Sequence, residues 1–167
     1  MSRSSDFSLE SPASVEQIHS AFSEKLYWQA RQEAFGGGAR LDSLVTEADG
    51  SVTVVLVGDG KREELPGPLA KLYPRSWQAV HRESWSRIRD GTVRGEISVA
   101  ARGVPGSGHG TALLEPAQRG SRLKGTATVE IKVPVIGRRI ESMVVHQVAE
   151  QISATLEFTT EWITSRP

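Results

Sequence analysis

The chain of 167 residues contains no cysteine. That excludes disulfides, thiolate metal sites and a cysteine nucleophile, and leaves the redox state of the compartment open. Net charge is absent too, because twenty lysines and arginines balance twenty aspartates and glutamates. No overall field therefore draws the chain to nucleic acid or to an anionic membrane. There is no uninterrupted apolar run of about 18 residues, the length a membrane-spanning helix needs, and the N-terminal MSRSSDFSLESP lacks an apolar stretch of signal-peptide length. These absences lead to the expectation of a cytoplasmic protein without integral membrane association. Catalytic signatures are missing as well: there is no HExxH, no GxSxG elbow and no GK[ST]. The glycine groups Gly36 to Gly38 and GSGHG do not sit between a strand and a following helix, so they read as helix termination and hairpin closure rather than phosphate loops.

What remains is a chain of single-domain length, 1–167, able to bury about 70% of its unfolded surface. Its periodicity is informative from the start. Arg3 to Glu10 alternates, with Phe7 and Leu9 on one side, as in a half-buried strand. From Ser14 the period turns helical: Ser14 with Gln17 forms a capping-box signature, followed by Val15, Ile18, Ala21 and Phe22. Ser23 is suited to cap a second short helix carrying Leu26, Tyr27, Ala30 and Ala34, ended by Gly36 to Gly38.

Strand-like runs occupy the middle of the chain. Arg40 to Glu47 and Ser51 to Gly58 flank Ala48-Asp49-Gly50, a hairpin signal. Pro66 and Pro68 bracket a turn, and Pro68 to Tyr73 fits a turn or two of helix before Pro74. Ser76 to Arg89 alternates imperfectly, Thr92 to Arg102 cleanly, and GVPGSGHG reads as a turn. His109 to Pro116 and Arg122 to Val133 then pair across Gln118-Arg119-Gly120. Seven strands joined, from the second onward, by short connections imply antiparallel neighbours. Pro134 ends the sheet. From Val135 to Ile163 an amphipathic helix carries Ile136, Ile140, Met143, Val144, Val148, Ile152, Leu156 and Ile163 in one stripe. Only a large sheet is wide enough to cover it, which gives an α+β fold with a curved antiparallel sheet gripping a long C-terminal helix.

That order, one strand, two short helices, six strands and a long helix, resembles the helix-grip fold of the START-like or SRPBCC superfamily. The superfamily includes the birch pollen allergen, START lipid-transfer domains, polyketide aromatases and cyclases, and coenzyme Q binding proteins. The stretches FSLESPASVEQIHSAFSEKLYWQAR, TVEIKVPVIGRRIES and FTTEWI are similar to an uncharacterised actinobacterial family within it. The resemblance implies a cavity between sheet and helix. Its walls would be Val93, Ile97, Val99, Ala127, Val129 and Ile131 from strands, with Ile140, Met143, Val144 and Val148 from the helix. The alternative is that these side chains fill the space completely.

The imperfect strand carries the candidate chemistry. In one register Trp77, Ala79, His81, Glu83 and Trp85 share the inner face, and a histidine and carboxylate buried there must be paired, as a ligand-orienting site or a general acid/base couple. In the other, which the broken alternation marginally favours, Val80 and Ile88 point inward through a bulge and His81 and Glu83 are solvated. His146 and Glu150, one helical turn apart, belong on a wet flank rather than on a metal. Arg31, Lys61, Arg62 and Arg75 either meet an acidic headgroup at the cavity mouth or are simply solvated. No catalytic residue, metal ligand or cofactor is assigned.

Three functions compete. A cavity of this kind suits binding or transport of a small hydrophobic or amphipathic partner, such as a lipid, isoprenoid or polyketide. A cyclase-, aromatase- or hydrolase-like enzyme would use His81 and Glu83 in the same cavity. A protein-interaction domain would use the helix-sheet groove or Pro66 to Pro74 and need no small ligand. Ligand identity and oligomeric state are not set by the sequence.

Overall fold

A computed structural model describes residues 2–35, 39–65, 67–133 and 137–166. Gly36 to Gly38, Pro66 and Pro134 to Ile136, where the sequence suggests a helix stop, one side of a turn and the start of the long helix, lie outside the described residues.

Among the described residues seven strands form one sheet: β1 (Ser2–Ser11), β2 (Arg40–Thr46), β3 (Val52–Lys61), β4 (Ser76–Trp85), β5 (Val93–Ala101), β6 (Gly106–Ala117) and β7 (Gly120–Ile131). Every pairing is antiparallel, in the order β1-β7-β6-β5-β4-β3-β2. The first two strands thus lie at opposite edges, and the connection between them carries helices α1 (Val15–Phe22) and α2 (Lys25–Phe35). A short helix, α3 (Gly67–Ala70), follows β3, and the long helix α4 spans Gly137–Thr164. This is the helix-grip fold expected from the sequence.

The capping box forms as read: Ser14 Oγ accepts from the Gln17 N–H at 3.1 Å, and Gln17 Oε1 accepts from the Ser14 N–H at 2.9 Å. Ser23, expected to open α2, instead closes α1, its hydroxyl donating to the Ser20 carbonyl at 2.7 Å. Tyr27 and Trp28 on α2 are fully buried. The Trp28 indole N–H donates to the Phe22 carbonyl at 2.7 Å, which locks the two short helices together and satisfies a polar atom that burial would otherwise strand.

Two boundaries differ from expectation. β4 stops at Trp85, and the chain then forms a wider loop closed by Asp90 and Gly91, whose φ of 52° and 76° fit a tight turn. The GSGHG stretch is no turn: residues from Gly106 onward pair with β5 on one side and β7 on the other. Long-range hydrogen bonding there overrides a local composition that favours turns.

α4 packs chiefly on β1 and β7, at one side of the sheet. Its buried row is rotated from the expected one. At about 100° per residue, Gln151 and Thr155 fall in the middle of the row Ile140, Val144, Val148 and Ile152, whereas Met143 falls well to its side. Met143 is accordingly 43% exposed, and Val145 and Glu141 are buried in its stead. Glu141 Oε2 accepts from the Ile131 N–H at 2.9 Å, so a residue expected off the apolar stripe fastens the start of α4 to the end of β7. No helix among the described residues is long and apolar enough to cross a membrane.

The apolar interior is divided. One cluster gathers α1, α2, β3 and the C-terminal part of α4 around Phe22, Tyr27, Trp28, Trp85 and Leu156. The other joins Val129 and Ile131 of β7 to Ile140 and Val145 of α4. Between them the sheet and helix do not meet.

Candidate ligand-binding site

The gap arises from the inner face of β6. Side chains alternate across a strand, and here the exposed Ser107, His109 and Thr111 alternate with Gly106, Gly108 and Gly110. Gly108 lies between Val99 and Val129, and Gly110 between Ile97 and Ala127. Three successive inward positions therefore contribute no side chain in the middle of the sheet. A Cβ at Gly108 would meet nothing nearer than the Thr128 carbonyl at 3.7 Å. The space left is a cavity of about 470 Å³, within the usual range of about 300 to 1,000 Å³ for small-molecule sites. Phe22, Tyr27 and Trp85 border it on one side and Ile131, Ile140 and Val144 on the other, so it spans the two core clusters.

One wall is polar. β4 takes the register that turns Trp77, Ala79, His81, Glu83 and Trp85 to the cavity, while Val80, on the opposite face, and Ile88, in the loop beyond β4, are exposed. The register is held by aromatic rings lying over glycines of neighbouring strands, Trp77 over Gly60 and Trp85 over Gly95. Glu83, its side chain 3% exposed, accepts three partners. Arg31 Nη2 donates to Oε2 at 2.8 Å, His81 Nε2 lies 2.7 Å from the same oxygen, and the Trp85 indole N–H donates to Oε1 at 3.1 Å. Arg31 reaches in from α2, its guanidinium centred 4.9 Å from the Trp28 ring.

Burial alone would raise the Glu83 pKa, but the Arg31 charge and the His81 hydrogen bond outweigh it and hold the carboxyl at about 2. Burial likewise works against the Arg31 charge, and the Glu83 carboxylate overcomes it, so Arg31 is held above its ordinary value. Behind the pair, Tyr27 Oη lies 2.7 Å from Thr159 Oγ1, and Thr159 donates to the Thr155 carbonyl at 2.8 Å. Thr159 has one proton to give, so Tyr27 must be the donor between them. Burial pushes the Tyr27 hydroxyl up.

Comparison with known proteins places this chain. Residues 6–163 match the family described as "Protein of unknown function (DUF2505)". The chain belongs to the DUF2505 family. Two similar relatives are "Uncharacterized protein Rv0481c" of Mycobacterium tuberculosis and "Uncharacterized protein Mb0491c" of Mycobacterium bovis, each 31% identical over 172 residues, with 99% of both chains covered. Among solved structures, Ara h 8.0201 superposes with a TM-score of 0.58 at 14% identity, covering 99% of this chain and 100% of that one. Norcoclaurine synthase from Thalictrum flavum gives 0.56 at 14%, covering 99% and 88%, and TTHA0849 from Thermus thermophilus gives 0.55 at 14%, covering 99% and 98%. These likenesses establish the START-like, SRPBCC fold for this DUF2505 chain.

Of the residues singled out from the sequence, Trp77, His81, Glu83, Trp85, Ile97, Val99, Ala127, Val129, Ile131, Ile140, Val144 and Val148 all border the cavity. Val93 and Met143 do not. Val93 is fully buried in the first core cluster, level with Leu114 on β6, and Met143 points away from the sheet. Arg31 borders the cavity and is committed to Glu83 rather than solvated. Lys61, Arg62 and Arg75 flank a separate shallow depression, where Arg62 Nε donates to the Tyr73 carbonyl at 2.8 Å. His146 and Glu150 form an exposed pair at 3.3 Å.

Sequence reasoning missed Tyr27, Thr159 and the β6 glycines of this DUF2505 site, and missed that Arg31 pairs with Glu83. A signal for Arg31 existed. It follows Tyr27 by four residues and Trp28 by three, the spacing that puts it on their buried helix face.

The depressed Glu83 pKa makes stability depend on pH. A carboxyl whose folded pKa lies below its ordinary 4.5 contributes stability that is fully present above 4.5 and is lost as pH falls through about 2. Urea denaturation across that window should show the wild type losing about 3 kcal/mol from this group. The double variant Arg31→Met, Glu83→Gln should lack that component, and an unchanged acid profile would show that Glu83 is not held as an anion.

Proposed function

We propose that this protein binds a small apolar or amphipathic molecule, such as a lipid, isoprenoid or polyketide, in the cavity between sheet and α4, and carries it without transforming it. The supporting observation is the bare inner face of β6. Glycine in a strand interior weakens the strand, and an apolar space left empty forfeits the dispersion contacts of its lining. Both costs are offset when a ligand fills the gap. A ligand burying about 300 Å² of apolar surface would gain roughly 7 kcal/mol from transfer alone.

The test is Gly108→Leu, which projects an isobutyl group into the cavity from a position with room for a Cβ. The variant should fold with wild-type circular dichroism and bind at least tenfold more weakly to whichever fatty alcohols, isoprenoid alcohols or phospholipids shift the melting temperature of the wild type. Mass spectrometry of organic extracts of the purified protein supplies an independent readout. Equal binding by variant and wild type would remove the cavity as the site.

A second reading, a cyclase-, aromatase- or hydrolase-like enzyme, draws on the 2.7 Å contact between His81 and Glu83. With Glu83 anionic and fully engaged, His81 would be the acid/base group and Glu83 its positioning partner. Turnover that survives replacement of both residues would dismiss it.

A further inference from the structure

The polar wall also says what kind of headgroup the cavity accepts, an inference that rests on its being a ligand site. Three observations bear on it. First, Arg31 and Glu83 are the formally charged side chains along the cavity among the described residues, and they neutralise each other at 2.8 Å. A ligand carboxylate or phosphate would find no uncommitted cation there, and burying a charge without a partner is strongly unfavourable.

Second, Glu83 has its oxygens occupied by Arg31, His81 and Trp85. An anionic carboxylate only accepts, so the His81 Nε2 facing it carries the proton. In the neutral ring the lone pair is then on Nδ1. Third, Nδ1 has no protein partner among the described residues, and no buried side-chain nitrogen or oxygen there lacks one. Nδ1 is therefore accessible, on a residue that borders the cavity and whose side chain is 30% exposed. The remaining buried donors and acceptors nearby, Tyr27, Thr159 and the Trp85 indole, are satisfied within the protein.

We infer that the cavity selects an uncharged ligand carrying a hydroxyl group, whose O–H donates to His81 Nδ1 while its apolar body lies against the bare face of β6. Glu83, with Arg31 behind it, acts as the positioning residue that fixes which histidine nitrogen is presented. This is recognition by an acceptor set in an electrically balanced wall; Tyr73, Trp77 and Gln151 also border the cavity and take no part in this contact. It distinguishes an alcohol or phenol from the acid and from the ether of the same skeleton.

Three fluorescent probes with one skeleton test it at neutral pH: 1-hydroxypyrene, 1-methoxypyrene and 1-pyrenecarboxylate. The hydroxyl probe should bind about threefold to tenfold more tightly than the ether, the range one hydrogen bond supplies, and the carboxylate should bind most weakly. In His81→Gln, the side-chain amide reaches the Nε2 position and still donates to Glu83 but offers nothing at Nδ1. That variant should bind the ether as the wild type does and lose the preference for the hydroxyl. His81→Phe serves as the second variant with the same expectation, should the first fold poorly. If hydroxyl and ether probes bind equally, or the carboxylate binds best, the headgroup assignment is wrong and the apolar cavity stands. If none of the three binds, the ligand-site reading falls and takes this inference with it.

Discussion

Replacing Arg31 with methionine is expected to destabilise the fold by about 3 to 5 kcal/mol, the usual cost of leaving a buried ion without its partner. Methionine keeps most of the length and apolar contact of the arginine stem, so the loss isolates the charge. Glu83 would remain buried beside His81 and Trp85 with no guanidinium to balance it. It would then relieve the penalty by taking up a proton at a higher pH than in the wild type. Urea denaturation at neutral pH measures the loss. Combining Arg31→Met with Glu83→Gln should recover a substantial part of it, because a neutral amide is far cheaper to bury than a lone carboxylate. A single variant as stable as the wild type would show that Arg31 does not compensate Glu83.

Gly125→Val should be at least as damaging, and for a reason that contrasts with the tolerance expected at Gly108. A Cβ at Gly125 would collide with the Thr111 carbonyl, come within 2.9 Å of the Ala112 Cα, and press on the Phe7 ring at 2.9 Å. Two of those obstacles are backbone of the neighbouring strand and cannot turn aside. Relief requires moving β6 or β7, where overpacking costs about 1 to 3 kcal/mol even when only side chains must shift. We expect Gly125→Val to lose more than about 3 kcal/mol or to fail to accumulate as folded protein. Thermal denaturation of the Gly125 and Gly108 variants side by side checks the contrast. Similar stability for both would mean that β6 and β7 are less closely spaced than described.

How much of this was legible depended on whether a residue's surroundings are local. β5 and β7 alternate cleanly in sequence because each has a polar face and an apolar one, and the Ser14 capping box is closed within four residues. β4 was ambiguous because Val80 and Ile88 are apolar yet exposed, whereas Glu83 is charged yet buried. Pattern alone cannot resolve that inversion, since the cation that permits it comes from α2, far away in sequence. The β6 glycines were misread for a related reason: glycine signals a turn locally, and only strands on both sides reveal that the missing side chains are missing from a wall. On α4 the apolar spacing put Met143 in the buried stripe and passed over Val145. Tertiary contact chose Val145, together with a glutamate that holds the end of β7.

The placement of β1 and β2 at opposite edges bears on how the molecule assembles. β1 is made first but pairs with β7, Ser2 opposite Glu130 and Ser11 opposite Ser121. The N-terminal elements also wait for the last helix, since Ser11 bonds Thr160 and Tyr27 bonds Thr159. Contacts so distant along the chain are slow to form. During synthesis, β2 to β6 can zip together as successive hairpins while β1 and the aromatic faces of α1 and α2 remain unpaired, a nascent stage exposed to aggregation until the C-terminus arrives.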